Sequence, residues 1–158
     1  MNYGARSLRR LNWTCGLVLM LFASYANALF IVNQPWALPA NFGRPTEVYM
    51  NLTSTDGATL VAVRTDAAKG IALRAPGKDP RSVDRLPLPA GKLVALSPGK
   101  DRLAITGLNQ NAKLGDRIAL TLTIEAADGT RQDIAVLAEV RMRSPIDDEL
   151  HSGHKHSH

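Results

Sequence analysis

A chain of 158 residues is long enough for one domain and too short for two comfortable cores, and a hydrophobic fraction of 45% excludes wholesale disorder. The formal charge of +5 suggests a nucleic-acid partner, but Arg6, Arg9 and Arg10 all lie within the first 28 residues. The rest carries 16 of the 19 basic groups against 14 acidic ones, about +2, with no basic block interleaved with aromatics to track a phosphate backbone, so nucleic acid drops out as a partner.

The first 28 residues have the three parts of a secretory signal. Arg6, Arg9 and Arg10 form a positive head, Gly16 to Phe22 (GLVLMLF) an apolar run, and Ala26-Asn27-Ala28 a small-residue site that predicts cleavage after Ala28. The apolar run is too short to span a bilayer as a stable anchor, so residues 1–28 read as a signal peptide and no stable membrane span remains after cleavage. The alternative is an uncleaved N-terminal anchor. Arg9-Arg10 faintly suggests twin-arginine export, but Asn12 and Trp13 follow where that signal prefers an apolar pair. Cys15, the single cysteine, precedes the apolar run instead of following it, which does not fit a lipid acceptor. Its removal leaves no disulfide, thiolate nucleophile or thiolate metal site.

Residues 29–144 read as one all-β domain, with turn signals every eight to twelve residues and period-two alternation between them. Leu29 to Asn33 begins a strand. Glu47 to Thr53 places Val48, Met50 and Leu52 on one face, and Thr59 to Thr65 places Leu60, Ala62 and Arg64 opposite Val61 and Val63. Ile71 to Arg74, Leu93 to Leu96 and Arg102 to Thr106 are shorter candidates, the last two separated by the turn cluster Ser97-Pro98-Gly99-Lys100. Ala75 to Pro89 is the longest irregular stretch and reads as an exposed loop. Arg117 to Glu125 aligns Ile118, Leu120, Leu122 and Ile124, and Gln132 to Met142 returns with Ile134, Val136 and Val140. Asp128-Gly129 between them predicts a two-residue hairpin turn. With aromatics at 5%, several of them near the start, the core rests on Leu, Val, Ile and Ala. Short strands at this spacing imply an antiparallel sandwich or barrel.

Residues 145–158 read as a flexible tail. His151, His154, His156 and His158, all the histidines of the chain, are spaced three, two and two apart, so their imidazoles can converge on one ion. Neutral imidazole suits copper(II) and zinc, and Asp147, Asp148 and Glu149 lie close by. The competing reading is a solvated tail whose metal affinity is incidental. Residues 29–144 contain neither His nor Cys, which removes Ser-His-Asp and Cys-His catalysis. Asp79 with Asp84 and Asp128 with Asp133 are paired carboxylates in turn sequence, where Asp serves structure, so the chain does not read as an enzyme.

Val32-Asn33-Gln34-Pro35-Trp36-Ala37 with Pro39 resembles the opening Trp-Ala strand of the PCu(A)C family, periplasmic copper chaperones with a cupredoxin-like β-sandwich. The resemblance runs collinearly through Val48-Tyr49-Met50-Asn51-Leu52, Leu86 to Leu96 (LPLPAGKLVAL), Thr106-Gly107-Leu108 and Leu114 to Leu122 (LGDRIALTL), covering residues 30 to 141. It implies an all-β, cupredoxin-like antiparallel β-sandwich (Greek key), a periplasmic location, and copper as cargo passed to a copper-acceptor or oxidase-assembly protein. It also implies a His, a Met and a His-x-Met pair as Cu(I) ligands, and here the chain departs. The first His position falls at Arg74, the His-x-Met pair falls on Arg102-Leu103-Ala104, and Ala75 to Pro89 has no Met. Guanidinium groups cannot coordinate a cation. Met50 reads as a core strand residue and Met142 as an edge residue beside the tail. The expectation is a copper protein, assisting cytochrome c oxidase copper-site assembly, whose metal capacity for copper or zinc lies in His151, His154, His156 and His158. The alternative is a metal-free β-sandwich interaction module that has lost the family site.

Overall fold

A computed structural model describes residues 29–77 and 81–146; the leader, Cys15, Asp79 and the four tail histidines lie outside them. The described chain forms nine strands: β1 (Phe30–Ala37), β2 (Thr46–Ser54), β3 (Ala58–Arg64), β4 (Ala68–Arg74), β5 (Leu86–Leu88), β6 (Leu93–Leu96), β7 (Arg102–Leu108), β8 (Arg117–Ala126) and β9 (Arg131–Val140). They make one curled sheet in the order β4-β7-β2-β1-β9-β8-β3-β5, with β6 also paired to β2. The curl brings the β4-β7-β2-β6 half against the β9-β8-β3-β5 half, and both contribute to one core cluster. The all-β, cupredoxin-like sandwich is thereby established. Pairing between the strands is antiparallel except where Trp36 and Ala37 of β1 run parallel to Glu139 and Val140 of β9, and a single parallel bridge joins Ser54 to Ala90.

The alternation read from the sequence sets the inner faces. Ile118, Leu120, Leu122 and Ile124 of β8 are all buried, as are Val48, Met50 and Leu52 of β2. The core cluster is aliphatic, with Leu103, Ile105, Leu60, Leu96 and Val140 among its buried members. Each such side chain contributes about 1.5–3 kcal/mol on leaving water.

Four local departures have identifiable causes. First, β1 continues past Asn33 to Ala37 through a register shift between Asn33 and Trp36, where Gln34 takes a φ of 50° and Pro35 needs no ladder partner. Second, β3 carries a bulge between Leu60 and Ala62. The extra residue reverses the faces beyond it, so Val63 joins Leu60 against the core while Ala62 and Arg64 turn to solvent. Third, Ala75 to Pro89 is not wholly irregular: Leu86 and Leu88 are buried in β5, opposite Leu60 and Ala58. Pro87 between them is tolerated because β5 is an edge strand. Fourth, the β8–β9 hairpin closes over Ala127, Asp128 and Gly129 instead of a two-residue turn. Gly129 N–H donates to Ala126 O and Ala126 N–H to Thr130 O, with only Gly129 at positive φ (84°). That is the three-residue loop with a glycine bulge. β9 ends at Val140, two residues short of Met142.

The segment before β5 ties the two halves together. Ala75 N–H donates to Arg81 O and Val83 N–H to Leu73 O along the edge of β4, and three residues later Leu86 pairs with Leu60 of β3.

Candidate functional site

The β4–β7 register gathers the positions the family resemblance singled out. Arg74 stands opposite Arg102, Leu73 opposite Leu103 and Ala72 opposite Ala104. Leu73 and Leu103 point into the core, so Arg74, Arg102 and Ala104 share the other face of the pair. The structure thus brings these three positions together, with two guanidinium groups and a methyl group where metal ligands were implied.

An ion pair organises this face. Arg102 Nε donates to Glu47 Oε1 at 2.6 Å, and Arg102 Nη1 donates to Ala75 O at 3.4 Å. The other carboxylate oxygen of Glu47 accepts the hydroxyl hydrogen of Tyr49. Tyr49 in turn stacks on Trp36, with ring centroids 4.6 Å apart and planes tilted by 41°. The bulge in β1 turns Trp36 onto this face, and the β1–β2 register sets it opposite Tyr49. Both rings are buried yet lie outside the aliphatic core cluster, forming a second small core on the reverse of the sheet. Burial pushes the Tyr49 hydroxyl well above the ordinary tyrosine range; its hydrogen bond to Glu47 and the nearby carboxylate charge add to this, while the Arg102 charge opposes it. Charge-assisted bonds of this kind contribute about 1.5–3 kcal/mol each. The arrangement welds β2 to β7 and has no lone pair free to coordinate a cation at Arg74 or Arg102.

The sequence did not single out Glu47 and Tyr49 as members of this cluster. Their spacing of two, out of phase with Val48, Met50 and Leu52, was the available signal; their partner Arg102 needed the β2–β7 register.

Met50 is 2% exposed within the core cluster, whereas Met142, just beyond β9, is 66% exposed. Among the described residues no group of three or more His, Cys, Asp or Glu could hold a metal ion. Asp128 accepts the Thr130 backbone N–H, and Asp133 accepts from Thr123 and Arg64, so these two carboxylates have structural partners. Asp84 is exposed. The four tail histidines lie outside the described residues.

Solved structures share this architecture. The apo PCuAC domain from PmoF1 superposes with a TM-score of 0.62 at 19% identity, over 72% of this chain and 94% of that one. The copper-bound PCuAC domain from PmoF2 gives 0.59 at 17%, over 72% and 93%. The solution structure of Cu(I)-DR1885 from Deinococcus radiodurans gives 0.52 at 25%, over 76% and 85%. No curated protein sequence matches the chain significantly. Fold and face together define a PCuAC-type β-sandwich with arginines at the implied ligand positions. The model of the LpqE-like family, which is named for a lipoprotein, matches residues 31–136, and the chain belongs to that family.

Proposed function

We propose that this protein handles copper outside the cytoplasm and takes it up through its C-terminal tail instead of through the sandwich. One observation carries the reading: a PCuAC-type fold presents Arg74 and Arg102, the latter paired with Glu47, where copper ligands were implied, while all four histidines of the chain follow the domain. In this reading residues 1–28 are a signal peptide removed after Ala28, residues 29–144 are a non-catalytic domain in the periplasm, and residues 145–158 carry the metal. His151, His154, His156 and His158 hold Cu(II) or Zn(II), since imidazoles without thioethers favour these over Cu(I). The metal is cargo for a copper-acceptor protein, in keeping with oxidase copper-site assembly. Cys15 ahead of the apolar run supports release in soluble form over lipid attachment.

Titration with Cu(II) and Zn(II) of the wild type and a variant with all four histidines replaced by alanine, at neutral and mildly acidic pH, tests the proposal. The wild type loses its tight component as the imidazoles protonate near pH ~6.5, and the variant lacks it throughout with its fold intact. Equal affinity in the two proteins refutes tail binding. The Glu47–Arg102 weld then favours the second reading, a metal-free interaction module.

A further inference from the structure

One end of the sandwich gathers two loops and the way out of the domain. The loop from Leu38 to Pro45 is pinned to the loop from Asn109 to Asp116: Ala40 and Ala112 exchange backbone hydrogen bonds, and Phe42 N–H donates to Asn111 Oδ1 at 2.7 Å. The chain leaving β9 joins them, since Gly115 N–H donates to Val140 O and Arg141 N–H to Ala37 O. It then runs through Met142 to Ile146, the last described residue. Phe42, Leu114, Met142 and Ile146, four of the seven large hydrophobic side chains exposed among the described residues, all belong to these segments. Between the two loops lies a hollow of about 330 Å³ bordered by Pro39, Ala40, Ala112 and Lys113.

Cations are in excess at this end. Arg44, Lys113, Arg117 and Arg143 have no side-chain partner among the described residues, whereas Asp116 accepts the Lys113 N–H and Glu139 pairs with Arg141. Asp66, whose backbone oxygen accepts from Asn109, adds one carboxylate and leaves the balance positive. The next residues of the chain complement this surface. Asp147, Asp148 and Glu149 follow Ile146 directly, and Leu150 is the only large apolar side chain from there to His158. Four residues reach at most about 14 Å from Ile146, so the stretch is held beside the cations at an effective concentration in the millimolar range. An acidic protein or an anionic membrane approaching the same end meets those three carboxylates first and is repelled. The occupant that fits is therefore the chain itself.

We infer that residues 147–150 dock across this end of the sandwich, their carboxylates against Lys113, Arg117 and Arg143, their backbone over Met142, and Leu150 in the hollow beside Leu114. The docked stretch covers the apolar end. It also roots the four histidines there, at the opposite end of β4 and β7 from Arg74 and Arg102. The inference holds whether or not those histidines bind metal.

Peroxide oxidation of Met142, followed by peptide mapping with a metal chelator present, measures the docking. Met142 oxidises several-fold more slowly in the full chain than in a chain ending at Ile146. A chain ending at Leu150, which lacks the histidines, keeps the protection. The triple variant Asp147→Asn, Asp148→Asn, Glu149→Gln loses it, and so does the double variant Lys113→Glu, Arg117→Glu, because each removes one side of the charge match. Met50, buried in the core, stays slow throughout and verifies that every protein is folded. Equal Met142 rates in the full chain and the chain ending at Ile146 overturn the inference and leave this end to a foreign partner or a membrane. Protection that survives either set of charge changes also overturns it.

Discussion

Trp36 and Tyr49 pack ring on ring, centroids 4.6 Å apart, on the side of the sheet away from the aliphatic core. Past residue 28 they are the only tryptophan and the only tyrosine, so spectroscopy of a chain lacking the leader reports on this one contact. Burial and Glu47 raise the folded-state pKa of Tyr49. The associated stability is therefore complete below the ordinary tyrosine pKa of about 10 and is lost as pH rises beyond it toward the folded value. Tyrosinate absorbance should appear only together with the loss of the folded Trp36 emission. A tyrosinate signal near pH ~10 in protein that is still folded contradicts the burial argument. Tyr49→Phe should lower stability at neutral pH by about 1 kcal/mol and remove this alkaline step.

Arg102 is the better buried member of its ion pair, its side chain 15% exposed against 36% for Glu47. Arg102→Ala leaves the carboxylate with Tyr49 alone and should cost about 2 kcal/mol in chemical denaturation. A double-mutant cycle with Glu47→Gln should give a coupling of about 1–2 kcal/mol. Additive single effects would mean the pair is only a surface contact.

Acid should act on the β8–β9 half of the sandwich through two paired carboxylates. Hydrogen bonds from Arg85 and Arg131 hold the Glu125 carboxyl below its usual range, and Thr123 and Arg64 do the same for Asp133. Their contribution is present above the ordinary carboxylate pKa of about 4 and disappears as pH falls through the lowered folded values. Glu125→Gln and Asp133→Asn should flatten the acid limb of stability against pH while leaving the alkaline limb unchanged.

Two leucines separated by four residues should respond oppositely to truncation. Leu88 in β5 is 1% exposed and Leu93 in β6 is 60% exposed. Leu88→Ala should cost about 2–5 kcal/mol and Leu93→Ala less than about 0.5. Comparable losses would mean that β5 does not belong to the folding unit.

Where alternation is clean the sequence carried the fold. Ile118 to Ile124 and Val48 to Leu52 alternate without interruption, and their faces are those found. Reading failed where one residue resets the phase: Val61 in the bulge of β3 reverses every side chain after it, and Pro35 and Pro87 conceal strands that tolerate a proline at a bulge or an edge. The absence of histidine and cysteine from residues 29–144 was plain from composition. That Arg74 lies beside Arg102, and Arg102 against Glu47, depends on pairings across tens of residues, which no local pattern contains.

The short parallel contact of β1 with β9 ties the start of this domain to its end. Trp36 meets Glu139, about a hundred residues later in the chain, and Ala37 meets Val140. Until the last strand is in place, the first has only β2 beside it, and the two halves of the sheet are joined by the link from the edge of β4 through β5 to β3. Completion therefore waits on the final strand, whichever order the intervening hairpins form in, and the chain stays pliable until nearly all of it is present. Deleting β9 should accordingly leave a chain that resembles an unfinished fold more than a damaged one.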